Sequence, residues 1–267
     1  KKATFRRANK APVPSNAKRY PGLAGALAGL PAFGIDAYPG ANMVSWADAA
    51  APGTWSVISS IGSNTYFAGD FLNGDFSKLY LLDSDLNELH TRSTTDGTLT
   101  VIGPAAPNSG ESWTGLKGSS DGNVYASATT CSASTLYTID PATGHPTAIG
   151  PVTNAACLID IAINAAGEIY GVDIVGDNLV KIDPATGAGT VIGSLGVAAN
   201  YAQGMDFEED SDTLYWAAYT TGGELRTIDT ATGASFLIGA FPGGAEVDGF
   251  SFATGGAGAT LPWFTLT

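Results

Sequence analysis

A nine-residue phrase occurs three times and limits the fold more than any other feature of the chain. Leu136-Tyr137-Thr138-Ile139-Asp140-Pro141-Ala142-Thr143-Gly144, ending at Ile149-Gly150, returns from Leu179 as Leu-Val-Lys-Ile-Asp-Pro-Ala-Thr-Gly, ending at Ile192-Gly193. It returns again from Leu225 as Leu-Arg-Thr-Ile-Asp-Thr-Ala-Thr-Gly, ending at Ile238-Gly239. A repeat of forty-odd residues built from strands is the signature of propeller blades.

Each unit reads as four short strands, a to d. The fifth unit shows the pattern: Gln203-Gly204-Met205-Asp206-Phe207, then Thr213-Leu214-Tyr215-Trp216-Ala217-Ala218-Tyr219, then Glu224-Leu225-Arg226-Thr227-Ile228, then Ser235-Phe236-Leu237-Ile238. Alternation of apolar with polar residues, rich in β-branched and aromatic types and cut by Gly, Asp and Ser, is the strand signal. Asp-Pro-Ala-Thr-Gly between c and d is turn chemistry: Pro suits the first central position and Gly the left-handed one. The same grammar runs through units four, three and two, but the first unit has only three strands. Its missing strand a is found at the other end, in residues 247–252, where Gly249 aligns with Gly204. The expectation is an all-β, five-bladed propeller over residues 31–254, closed by strand 247–252 joining the first blade so that no sheet edge is left open. A basic arm (1–30) precedes it and a tail (255–267) follows.

Charge is divided sharply. Lys1, Lys2, Arg6, Arg7, Lys10, Lys18 and Arg19 lie in the first nineteen residues, which hold no acid. The remainder carries five Lys or Arg against 25 Asp or Glu, a net of −20. So acidic a body disfavours nucleic acid and anionic membranes as partners. The arm suits its own ring, an acidic neighbour or an anionic surface, and it is the expected attachment to a protein partner in a larger assembly. The absence of an initiator Met suggests a processed chain or a fragment, and no stretch is long and apolar enough to cross a bilayer.

Cys131 falls in the b–c loop of blade three and Cys157 where the chain enters blade four. These connections emerge on one face of a propeller, so the two thiols are expected to form a disulfide, and thereby to indicate an oxidising, extracytoplasmic compartment.

The pattern Leu-Tyr…Ile-Asp-x-x-Thr-Gly-x-x-Thr-x-Ile-Gly resembles the propeller repeats of bacterial secreted and cell-surface proteins, which often accompany subtilisin-like peptidase or Ig-like modules. The resemblance covers about residues 31–254, and residues 259–267 are similar to the opening strand of such an Ig-like module. It implies an extracytoplasmic location and a non-catalytic role.

Two sets of acids recur. Strand b ends in Asp36, Asp83 and Asp173; strand a carries Asp70, Asp160 and Asp206, with Lys117 and Ser251 at the equivalent places. Asp70, Asp160 and Asp206 are the candidate ligands of a structural Ca²⁺, a cation that takes several oxygens. The competing reading makes each Asp an acceptor of backbone N–H groups from the next blade. His90 and His145 have no nucleophile motif beside them, and no phosphate-binding loop is present. No catalytic residue and no other cofactor is therefore expected. The face of the b–c loops collects Tyr38, Asn42, Asn64, Tyr66, Asn108, Trp113, Asn154, Asn178, Asn200, Tyr201 and Tyr219, residue types that hold sugars or peptides, although Tyr66, Trp113 and Tyr201 open their a strands, where packing between blades is the expected use. The expected function is a non-enzymatic structural or protein-interaction module. The alternatives are a lectin-like glycan binder with pockets repeated around the ring, and a metal-dependent hydrolase or lactonase.

Overall fold

The computed structural model describes residues 29–49 and 51–254, and these form five four-stranded antiparallel sheets. Blade II contains β4 (Tyr66–Asp70), β5 (Lys78–Asp83), β6 (Glu88–Ser93) and β7 (Leu99–Pro104). Blade III contains β8 (Ser112–Gly118), β9 (Val124–Thr129), β10 (Ser134–Ile139) and β11 (Pro146–Pro151). Blade IV contains β12 (Leu158–Ile163), β13 (Ile169–Asp173), β14 (Asn178–Ile182) and β15 (Gly189–Ser194). Blade V contains β16 (Gly204–Glu208), β17 (Thr213–Tyr219), β18 (Gly223–Ile228) and β19 (Ser235–Ala240). Blade I takes β1 (Ala32–Tyr38), β2 (Asn42–Trp46) and β3 (Ser56–Ser60) from the start of the ring and β20 (Glu246–Phe252) from its end, in the order β20-β1-β2-β3.

The closing strand therefore lies where its alignment with Gln203–Phe207 put it. Phe33 pairs with Ser251 and Ile35 with Asp248, across a bulge containing Gly249. Gly249 has φ 52°, and its Cα side faces the backbone of Gly69 in the next blade, so a side chain there would be both strained and crowded.

The cores lie between blades rather than in one central mass. There are five hydrophobic clusters, one for each seam. Met205, Trp216 and Leu214 of blade V meet Ile159, Val172 and Leu179 of blade IV. Trp46 and Val44 of blade I meet Leu225 and Tyr215 of blade V, with Phe241 and Phe250 filling between. A sheet stacked face-on between two others buries both faces, so the inner strands are almost wholly buried, their polar residues Asp70, Lys117 and Asp160 included.

The two marks of the repeat also touch one another. In the turns, Asp140, Asp183 and Asp229 accept from the backbone N–H two residues on and from the hydroxyl of Thr143, Thr186 or Thr232. Gly144, Gly187 and Gly233 close them at φ 81°, 79° and 78°. Each turn then rests on the d strand of the preceding blade: a Cβ on Gly103, Gly150 or Gly193 would overlap the carbonyl oxygen of Thr143, Thr186 or Thr232. Thr-Gly and Ile-Gly thus recur because they are two halves of one backbone-to-backbone contact, repeated at successive seams.

Candidate functional site

The recurring acids of strand b cap the b–c turns. Asp83 accepts from the backbone N–H groups of Asp85 and Leu86 through one oxygen and from the Asn64 amide through the other. Asp173 accepts from the N–H of Cys157 and Gly176, and Asp36 from that of Gly40.

The acids of strand a face the axis and bridge blades. Asp70 accepts from Gly118 N–H of blade III at 2.9 Å, Asp160 from Met205 N–H of blade V at 2.6 Å, and Asp206 from Phe252 N–H of blade I at 2.7 Å. They do not form one layer. Asp70, Lys117, Asp206 and Ser251 lie opposite Tyr80, Tyr125, Tyr215 and Phe33, but in blade IV the residue opposite Tyr170 is Ala162. A bulge between Leu158 and Ile161 leaves Asp160 two residues further along the axis. The place between Asp70 and Asp206 is taken by the Lys117 ammonium, 3.5 Å from a carboxylate oxygen of each. Lys117 Nζ also donates to the Phe250 carbonyl at 3.0 Å and the Ser251 hydroxyl at 3.2 Å. Among the described residues, no three His, Cys, Asp or Glu side chains converge as a metal site would require.

The side chain of Lys117 is buried, which alone would lower its pKa. Asp206, Asp70 and Asp160 more than reverse this, and the pKa is raised. Burial pushes Asp206 up to about 7 despite the attraction of Lys117. Burial likewise holds Asp160 well above the usual carboxylate range. Asp248, on the closing strand, is raised by burial and then by Glu246, Asp160 and Asp36, and neither of its oxygens has a hydrogen-bond partner. Glu246, Asp248 and Asp160 thus mark a line of acids leading from one mouth of the ring toward Lys117.

Two cavities open at the ends of the axis. At the a–b mouth a polar cavity of about 580 Å³ is floored by Asp70, Lys117 and Asp206 and rimmed by Asn73, Asn164 and Glu209 from the a–b turns. At the b–c mouth a pocket of about 390 Å³ lies over blades I, II and V. Its walls bring together four of the tyrosines flagged above: Tyr38 from the end of β1, Tyr66 opening β4, Tyr201 from the connection into β16, and Tyr219 from the end of β17. Glu246 closes it from β20. Tyr201 and Tyr219 stand edge to face, with ring centroids 5.3 Å apart and planes at 85°. Burial raises the Tyr219 pKa, and Glu246, Tyr201 and Tyr38 raise it further, which places all four groups around one space. Tyr201 is held at φ 61°, a costly conformation for an aromatic residue and one found where surroundings dictate a side chain's aim.

Tyr66 and Trp113 open their strands as core residues, Trp113 donating from its indole to the Ala105 carbonyl at 2.7 Å. Tyr201 does not: it is half-buried in the connection before β16 and lines the pocket. Asn42, Asn108, Asn154, Asn178, Asn200 and Trp113 lie outside the pocket lining, so the aromatic and amide face is one lopsided site rather than a fivefold one. His90 is buried in a seam network: Nδ1 lies 2.8 Å from the Tyr66 hydroxyl and Nε2 2.9 Å from Glu88. Cys131 and Cys157 form a disulfide on the b–c face. Lys1, Lys2, Arg6, Arg7, Lys10, Lys18 and Arg19 lie outside the described residues, as do residues 259–267.

Residues 84–233, more than half of the chain, match the model of a family described as a repeat of unknown function (DUF6923). The chain belongs to that family. No curated protein matches the sequence. Among solved structures it is similar to a chain of a nidogen/laminin complex, at 11% identity and TM-score 0.55, covering 84% of this chain and 98% of that one. It is also similar to regucalcin from Agrobacterium tumefaciens, a calcium-binding protein, at 17% identity and TM-score 0.53 over 79% of this chain and 71% of that one. A third is a luciferin-regenerating enzyme, at 11% identity and TM-score 0.53, covering 78% and 71%. At these identities the likeness is one of fold. It nevertheless corrects one expectation drawn from the sequence, that the chain is not an enzyme: rings of this shape carry enzymes, so the lack of a nucleophile motif does not exclude catalysis here.

Proposed function

We propose that this protein is an exported recognition module whose ring captures a ligand in the tyrosine pocket at the b–c mouth. The observation that carries the reading is convergence: Tyr38, Tyr201 and Tyr219, from three separate segments, surround one pocket closed by Glu246. Aromatic walls with a few placed polar groups are what a binding site needs, and nothing in the repeat requires them there. The disulfide on the same face supports an oxidising location. The partner we infer is a protein of a larger assembly, with the basic segment 1–30 as a second attachment.

A thermal-shift screen of peptides, oligosaccharides and small metabolites against the full chain and a Tyr201→Ala/Tyr219→Ala variant tests it. Ligands that stabilise the wild type and not the variant carry the reading; ligands whose effect survives in the variant remove it.

A second reading has one specific observation behind it. Asp206, pushed up to about 7, shares the floor of the a–b cavity with the Lys117 ammonium. An acid titrating near neutrality beside a cation can exchange a proton with a bound substrate. Ester or lactone hydrolysis that disappears in a folded Asp206→Asn variant would carry this reading; an unchanged rate, or none in the wild type, would end it.

A further inference from the structure

We propose that the tyrosine pocket takes a cation, the ammonium or guanidinium of a lysine or arginine side chain on a partner polypeptide. The inference rests on the pocket being the binding site and names what that site selects.

Three features point the same way. First, Tyr201 and Tyr219 form two perpendicular walls, and Tyr38, 65% exposed, supplies a third. Aromatic faces carry the negative part of the ring quadrupole, so a space enclosed by several of them favours positive charge. Second, among the described residues the only ionisable side chain in the lining besides the tyrosines is the carboxylate of Glu246, and no described lysine, arginine or histidine lines the pocket. It sits in a body with five Lys or Arg against 25 Asp or Glu, a charge that draws cations from a distance. Third, the chain already uses this chemistry at the pocket wall: the Arg92 guanidinium lies 5.5 Å over the Tyr66 ring.

A polyhydroxylated ligand is served less well. The Asn64 amide is engaged at both ends, donating to Asp83 at 2.7 Å and accepting from Arg92 at 3.1 Å. The Thr65 hydroxyl donates to Asp85 at 2.7 Å. Of the amide and hydroxyl groups that would orient a sugar, these two are occupied by the protein itself; the Glu246 carboxylate, which accepts from the Ala202 N–H at 3.2 Å, lines the pocket together with the tyrosines.

The test uses acetyl-Gly-Arg-Gly-amide and acetyl-Gly-Lys-Gly-amide, titrated against the full chain and followed by shifts of the tyrosine ring resonances. Their neutral counterparts carry citrulline or acetyl-lysine, and a neutral cello-oligosaccharide forms a third arm. The cationic peptides should bind at least about tenfold more tightly than the neutral ones, and Tyr38→Ala or Tyr219→Phe/Tyr201→Ala should weaken them by about three- to thirtyfold. Glu246→Gln should weaken binding and flatten its salt dependence, whereas Glu209→Gln at the opposite mouth should change it less than twofold. Tyr38→Ala, at an exposed position, keeps the test valid should the double variant misfold. Equal affinity for citrulline, or tyrosine-dependent binding of the oligosaccharide alone, overturns the cation inference and leaves the pocket reading standing. If the tyrosine variants bind as the wild type does, or Glu209→Gln weakens binding as much as Glu246→Gln, both fall.

Discussion

Replacing Lys117 by Met removes the only cation at the axis among the described residues while keeping the length and most of the volume of the side chain. The ammonium sits 3.5 Å from Asp70 and from Asp206 and also serves the Phe250 carbonyl and the Ser251 hydroxyl. A buried ion pair adds little against a hydrophobic replacement of both partners, but removing one partner strands the other. That costs about 3–5 kcal/mol. At about 2–4 °C per kcal/mol for a ring of this size, the melting temperature should fall by ~6–20 °C. The loss should depend on pH. At pH 8 the axial carboxylates are most charged and their stranding costs most. At pH 5 Asp206, pushed up to about 7 by burial, carries a proton even in the wild type, so Lys117 has less to neutralise and the gap between variant and wild type should narrow. Urea unfolding followed by circular dichroism at the two pH values measures both quantities. A loss under about 1 kcal/mol, or one of equal size at pH 8 and pH 5, would refute the account of Lys117 as the keystone of the axis.

Other outcomes are expected. The wild type should itself be more stable at pH 5 than at pH 7.5. Asp206, Asp160 and Asp248 bind protons more tightly folded than unfolded, so their contribution is complete below the unfolded value near 4 and is lost as pH rises through the folded ones, about 7 for Asp206. A denaturation midpoint that rises between pH 5 and 7.5 would contradict this. Below about pH 4 the trend should reverse, as Glu168, held low by Lys181, and Asp75, held low by Ser77, take up protons. Cys131→Ser/Cys157→Ser opens a loop of sequence separation 26 and should cost about 3 kcal/mol, with reductant lowering only the wild-type melting point. Gly193→Ala forces a methyl against the Thr232 carbonyl and should cost about 1–3 kcal/mol or more by the same unfolding assay, whereas Gly196→Ala, with open space around its Cβ, tests the cost of positive φ alone. Truncation before Glu246 should abolish a single cooperative unfolding transition, since it leaves β1 as an open edge and empties the seam built on Phe250.

What the chain alone determined is whatever repetition and short-range chemistry carry. Blade number, strand order, the Asp-x-x-Thr-Gly turns and the closing strand were legible because each is a local pattern, copied several times or missing once. The pairing of Cys131 with Cys157 followed from topology, since the b–c loops and the entries to strand a share one face. Tertiary structure decided the rest. Asp160 reads in line with Asp70 and Asp206, but a bulge moved it along the axis, and a bulge leaves no clear mark in a run such as Leu-Ile-Asp-Ile-Ala-Ile. Lys117 looked like a gap in a row of acids; folded, it is their counter-ion, because ring closure brings blades II, III and V to one point. The tyrosine pocket was scattered through an undifferentiated set of surface aromatics, and Glu246 and Asp248 were not singled out at all. Those residues are separated by up to some two hundred positions, and only the curvature of the closed ring, together with a left-handed backbone at Tyr201, aims them at the same space.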